Sequence, residues 1–259
     1  MTTTLADNQT GTWNTRQLEE YNRDGYLLIR NLLSPEQVAE LNDAVPPLLQ
    51  GDDADGMYRV RESTGAARSV FLTHRHSPPF KELARNPKIL NPVKQLLKND
   101  VYIWHSKINV KDAFEGAVWL WHQDYGYWVK DGVEDRLVSV MVFLDRSTLN
   151  NGCFMVAPGT QHTNLPHYSD TKTTSYKQWC VELDSLKETL KEEMIVPMLG
   201  NPGDVLFFHS NVLHGSGHNM SPLPRKTMIL VYNGVDNTPV GIENPRPDWV
   251  VSHDYTPIA

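Results

Sequence analysis

Cysteine is scarce. The 259 residues hold two, Cys153 and Cys180, too few for a disulfide framework and without the CxxC spacing of a zinc or redox motif. Both read as reduced, buried thiols. Basic charge is also short: 24 Lys and Arg stand against 31 Asp and Glu, a formal net charge of −7. No cluster of cations offers the phosphate-tracking surface that nucleic acid requires, so that partner is not expected. No apolar stretch reaches the length that spans a bilayer, and the opening MTTTLADNQTGT lacks the basic-then-apolar order of a secretion signal. The expectation is a cytoplasmic protein with no membrane partner. Internal repeats and long linkers are missing as well.

What remains is ordinary globular composition, 40% hydrophobic and 21% charged, with enough chain for a useful core. Residues 1–12 are polar and Thr-rich and read as a disordered tail, leaving 13–259 as one domain. Its first third is helical. A short helix is expected over 14–23, and GYLLIRNLL (25–33) reads as a buried strand from its continuous apolar run. Ser34 as N-cap, Pro35 at the first helical position and Gln37 at the third then mark a strong helix start. GDDADG (51–56) is a loop, and helical segments over 79–98 are limited by Pro79, Pro87 and Pro92.

From Val101 the pattern changes to strands separated by turns, at about 101–111, 117–123, 137–144, 153–157, 194–198, 204–209 and 226–233, as in a β-sandwich or barrel. In VYIWHSKINVK, alternation puts His105, Lys107 and Asn109 on one face and Tyr102, Trp104, Ile108 and Val110 on the other. Residues 160–193 make a long excursion ending in an expected helix, DSLKETLKEEM, and connections of that length are more often functional than idle. The charge run KETLKEE reads as a solvated helix face.

The chemistry concentrates in WLWHQDYGYW (119–128). His122 and Asp124 lie two apart, on one side of a regular strand, and ionisable groups in such aromatic surroundings must be paired, ligated or wet. A third ligand is available in His214, within PGDVLFFHSNVLHGSG. Two neutral imidazoles and one carboxylate on a shared face suit Fe(II) and leave positions for substrates and O₂. HxD alone is a weak signal. Arg225, eleven residues after His214 at the head of RKTMILVYN, strengthens it, because a guanidinium can hold a dicarboxylate with two prongs. His209 falls on the opposite face if its strand is regular, in a packing or supporting role. His74 and His76, an HxH in THRHSPPF, read as a lid or solvated loop.

The ordered set SKIN…WHQDYGYW…DG…NGCFMVAPGTQH…PGDVLFFHSNVLHGSGHNMSPLPRKTMILVYN resembles the phytanoyl-CoA dioxygenase family of Fe(II)/2-oxoglutarate oxygenases. More narrowly, it is similar to the ectoine hydroxylase and free amino-acid hydroxylase branch, over about residues 20–238. The resemblance implies a mainly β fold with flanking helices, a cupin-like double-stranded β-helix or jelly roll. It implies that His122, Asp124 and His214 ligate iron and that Arg225 holds the far carboxylate of the cosubstrate 2-oxoglutarate. Lys107, Asn109 and Ser139 would assist cosubstrate binding, with Lys107 standing where the branch carries Arg, and Trp119 would line the same pocket. Trp128, Tyr125 and His105 would face the substrate.

The reaction implied is hydroxylation of an unactivated C–H bond by O₂, with 2-oxoglutarate leaving as succinate and CO₂. A carboxylate at position 124 favours hydroxylation over the chlorination seen in relatives with a small residue there. His105 stands where ectoine enzymes carry Gln, and HQDYGYWVKDGV replaces a pattern closer to HSDFETWHVEDGM, so a different small polar metabolite, a free amino acid or a similar compound, is expected. Competing readings are a tailoring oxygenase that hydroxylates, desaturates or cyclises a larger secondary metabolite, an iron-free jelly-roll protein binding a small ligand, and a zinc hydrolase. The assembly expected is a monomer or homodimer.

Overall fold

In the computed structural model residues 11–51, 57–174 and 176–259 are described, with the backbone of Thr3–Thr4. Most of the expected tail and of the GDDADG loop lies outside them. The helices are α1 (Thr15–Asp24), α2 (Pro35–Asp43), α3 (Val45–Gln50), α4 (Thr73–His76), α5 (Pro78–Arg85), α6 (Pro87–Leu97), α7 (Asp124–Trp128) and α8 (Leu183–Thr189). The strands are β1 (Thr3–Thr4), β2 (Tyr26–Arg30), β3 (Arg59–Arg61), β4 (Ala67–Phe71), β5 (Val101–Lys111), β6 (Trp119–His122), β7 (Leu137–Phe143) and β8 (Phe154–Ala157). They continue with β9 (His167–Asp170), β10 (Gln178–Val181), β11 (Val196–Met198), β12 (Val205–His209), β13 (Leu213–Ser216) and β14 (Arg225–Gly234).

Local signals start the helices where the sequence places them. Asn14 caps α1 by accepting from Gln17 N at 3.0 Å while the Gln17 side chain accepts from Asn14 N, and Ser34 and Gln37 repeat this capping box on α2. Each such cap is worth about 1 kcal/mol. Gly25, at φ 78°, closes α1 in the left-handed region that a side chain disfavours.

The major sheet runs β1-β2-β12-β7-β14-β5-β4-β3 and the minor sheet β11-β8-β13-β6, with β9 and β10 as a separate hairpin. This is the expected jelly roll. β7 shows why the central strands read as continuous apolar runs. Val138, Val140 and Val142 join a core shared with Phe80, Ile89 and Val93 of the helices. Leu137, Met141 and Phe143 instead enter a second core that meets Phe154 and Val156 of the minor sheet. Burying each large apolar side chain stabilises the fold by about 1.5–3 kcal/mol. Ser139 is the polar exception on the inner face, and it marks the site.

Three expectations about the strands fail for non-local reasons. A bulge leaves Trp104 unpaired between the Val231↔His105 and Tyr232↔Ile103 partners, which resets the alternation. Tyr102 and Trp104 therefore share the inner core, whereas Ile108 and Val110 pack outside. The HxD segment is not one strand, because β6 stops at His122 and Asp124 opens α7. His209 and His214 belong to different strands in different sheets, β12 and β13; His209 Nδ1 accepts from Asn211 N at 3.1 Å within the turn between them.

Candidate active site

Antiparallel pairing of β13 with β6 sets His214 directly opposite His122, and the ring centroids are 4.1 Å apart. Each imidazole is fixed by its own strand: His122 Nδ1 lies 2.6 Å from Leu120 O and His214 Nδ1 2.9 Å from Val212 O. A carbonyl only accepts, so the proton resides on Nδ1 and Nε2 presents a lone pair. Burial, with His214 nearby, pushes His122 well below its ordinary range, and burial lowers His214 also. Both shifts favour the neutral ring.

Asp124 reaches the pair from the first turn of α7, with Oδ1 3.8 Å from each Nε2. Its other oxygen accepts from Ser139 Oγ at 3.2 Å. One ligand atom from each of His122, Asp124 and His214 fits within a 4.8 Å spread. Two neutral nitrogens and one carboxylate oxygen converging in this way match the donor set of a divalent metal with open positions.

Beside the triad, β14 begins with Arg225, register partner of Lys111 on β5. The guanidinium is 3% exposed, its Nε has no hydrogen-bond partner, and burial pushes its pKa down to about 10. Asp145, near enough to act on it, is engaged by Lys226. Two residues on, Thr227 Oγ1 is also buried and without a partner. Lys111 Nζ donates to Ala117 O and to Gly217 O, and Lys107 Nζ lies 5.3 Å from the Trp119 ring. Asn109 Oδ1 accepts from Ser69 Oγ at 2.7 Å, which leaves its amide N–H groups for the pocket. Cations crowd this end of the site, and orphaned donors point at what it lacks, an anion with several acceptor oxygens.

The family model for phytanoyl-CoA dioxygenase matches residues 21–227. The chain belongs to that family. An ectoine dioxygenase of Nocardia farcinica is 34% identical over 262 residues, covering 96% of this chain and 88% of the relative. An L-proline trans-4-hydroxylase of Streptomyces griseoviridis is 30% identical over 254 residues, covering 92% of each. Among solved structures, EctD from S. alaskensis with 2-oxoglutarate and 5-hydroxyectoine aligns at a TM-score of 0.83 and 32% identity over 98% of this chain and 89% of that one. The same enzyme with bound Fe aligns at 0.82. This phytanoyl-CoA dioxygenase family member is a non-haem Fe(II)/2-oxoglutarate-dependent dioxygenase.

Its structure sorts the residues singled out from sequence. His105, Lys107, Asn109, Trp119, Trp128 and Arg225 share one cavity with the triad. His105 Nδ1 donates to Val250 O at 3.0 Å, and burial holds the ring neutral. Ser139 is beneath Asp124 rather than on the cavity wall, and its hydroxyl donates to the Asp124 carboxylate. Tyr125 is not on the wall either: as part of α7 it turns away and its hydroxyl donates to Val133 O at 3.1 Å. His74 is not on a flexible loop but in α4, its Nδ1 2.5 Å from Ser106 Oγ. The long excursion carries the β9–β10 hairpin followed by α8, where the sequence expects a helix, and Gln178 Oε1 accepts from Leu120 N at 2.9 Å, bracing β6. Thr227 went unnoticed in the sequence. Its signal was there, since alternation from Arg225 puts residue 227 on the same face.

Proposed function

We propose that His122, Asp124 and His214 hold Fe(II), that Arg225, Thr227, Lys107 and Asn109 receive 2-oxoglutarate, and that the substrate is a free amino acid or an amino-acid-like compound. One observation carries the reading: two imidazole lone pairs and a carboxylate converge beside a buried, unpaired guanidinium. A metal hydrolase has no use for that guanidinium. Iron bound there supplies oxidation of a C–H bond by O₂, with succinate and CO₂ as coproducts. The protein's own residues fix where this happens. Ser139 aims the Asp124 carboxylate, and Arg225 fixes the far end of the dicarboxylate.

On the substrate side, His105 spends its proton on Val250 O, so its Nε2 can only accept. A substrate with an N–H or ammonium group satisfies it. The relatives are named for ectoine and L-proline, both small nitrogen compounds, and the His-for-Gln change at 105 supports a substrate other than ectoine. Among the described residues no helix is long and apolar enough to cross a membrane, and the buried free thiols Cys153 and Cys180 suit a reducing cytoplasm.

The test is an anaerobic titration of metal-free protein with Fe(II) and then 2-oxoglutarate. A weak visible charge-transfer band of the chelated 2-oxo acid is expected, absent in His122→Ala and weakened in Arg225→Ala. Admission of O₂ with a panel of amino acids and ectoine should yield a product one oxygen atom heavier. If iron binds and no band forms, the cosubstrate assignment fails.

A further inference from the structure

The residue between the two ligands of the β6–α7 junction is Gln123, and nothing above uses it. It is fully buried. Its Nε2 donates to Thr163 O at 2.8 Å and to Asn211 O at 2.6 Å, and its Oε1 accepts from Leu165 N at 2.9 Å. Its backbone N–H is directed at His167 Nε2, 3.3 Å away, and that ring is fixed by Nδ1 donation to Leu165 O at 2.7 Å. Asn211, whose carbonyl Gln123 bonds, stands three residues before His214 in the turn from β12 to β13. The Asn211 side chain in turn donates to Gln161 O and Asn164 Oδ1.

We propose that Gln123 is a positioning residue that sets His122 and Asp124 against His214 by tying the HxD junction to the chain leading into His214 and to the base of the 160–193 excursion. The inference rests on the iron reading above. Its physical basis is the bonding pattern of one amide. Two N–H donors meet two carbonyls from separate segments, while the oxygen meets an N–H from one of them. A carboxylate would turn an oxygen on a carbonyl, and a serine reaches at most one of the three groups.

The junction also needs an external tie. Extended backbone at Gln123, φ −113° and ψ 128°, gives way at once to helix, and no side chain caps α7. The helix is five residues long, too short to hold its own start. The other ties of α7 act on its later residues, with Tyr125 N and Oη donating to Ser210 O and Val133 O and Tyr127 Oη accepting from Trp179 N. The Asp124 carboxylate itself is held only by the Ser139 hydroxyl among the described side chains. Groups that orient metal ligands typically change metal affinity about 10–100-fold when removed.

The experiment measures Co(II) binding by its visible absorption, without 2-oxoglutarate, in wild type, in Gln123→Met, and in Asn237→Leu as a control. Asn237 is also buried and makes as many side-chain bonds, to Glu134 N and O and to Asn233 Oδ1, but touches none of the triad's supports. The expected result is a Co(II) Kd about 10–100-fold weaker and an altered spectrum in Gln123→Met. In Asn237→Leu the Kd should stay within about twofold of wild type, while its urea midpoint falls.

Should Gln123→Met not fold, Gln123→Ser reads the same quantities, being small enough to admit water to the freed carbonyls. Wild-type affinity and spectrum in the folded Gln123 variant overturn the proposal, as does an equal loss of affinity in Asn237→Leu. Failure of the wild type to bind Co(II) at all sinks the iron reading instead.

Discussion

Arg225 is unfavourable where it stands. A buried cation without a carboxylate costs the fold several kcal/mol unless an anion arrives, and the pKa of about 10 expresses the same penalty. Binding sites keep such groups because the anion recovers the cost. Arg225→Leu is therefore expected to raise the melting temperature of the cofactor-free protein by a few degrees. The same change should weaken 2-oxoglutarate binding by about 10–150-fold, the worth of one charge-assisted contact. Arg225→Lys keeps the charge but loses the fork and should fall between. Melting curves with and without 2-oxoglutarate, in the presence of Mn(II), read both effects. A melting temperature that falls in Arg225→Leu would show the guanidinium to be structural.

Between elements, the question is how the site admits its ligands. The cavity over the triad encloses about 40 Å³, an order of magnitude below ordinary small-molecule sites, so a covering element has to give way. The strap at residues 246–253 does not line the cavity itself but backs its wall residue His105. Trp249 stacks on Tyr58 at 3.6 Å and 10°, Val250 O accepts from His105, and Ser252 N donates to Trp104 O at 2.9 Å. Its charged anchor, Arg75 with Asp248, is partly exposed and holds weakly. Trp249→Ala removes a stack worth about 0.5–1.5 kcal/mol beyond its buried area. Limited proteolysis should then cut within 246–253 about 2–10 times faster while the rest of the chain resists. Faster cutting elsewhere, or no change, would mean that another element covers the site.

The same scale shows what was legible in advance. The Ser34 cap and the strand run from Val101 are local facts readable from residue types and spacing, and the three side chains proposed as ligands, His122, Asp124 and His214, do converge. The bulge at Trp104, the end of β6 at His122 and the switch of sheets between His209 and His214 are set by which strands pair. Residues over a hundred positions apart decide that pairing, as when Val231 and Tyr232 straddle Trp104. Alternation alone therefore misassigned the faces of β5. The triad survived these errors because His122 and His214 are register partners, which brings them together however Asp124 arrives.

Taken as a whole, the molecule stores several neutral bases. Burial pushes His74 down to about 4, and it lowers His105, His122, His167, His209 and His214 as well. Unfolding returns these rings to water, where they titrate near 6.5. Between that value and the folded one, the unfolded chain binds more protons, so stability rises with pH. The stabilisation is complete above about 6.5 and is lost as pH falls below it, until the folded pKa is reached. His74 alone contributes about 3 kcal/mol over that window. Asp112 and Asp145, whose carboxyls burial raises, work the other way but are two groups against six. The cofactor-free protein should therefore show a urea midpoint that drops steeply from pH 7 to pH 5. His74→Asn keeps a donor for Ser106 and removes one titrating ring, so its drop should be shallower by up to one proton. Loading with Mn(II) should steepen the wild-type curve, because protonated His122 and His214 release the metal. Midpoints that do not move between pH 7 and pH 5 would show that these rings are as readily protonated in the folded protein as in the unfolded chain, and the neutral-triad reading would fall with them.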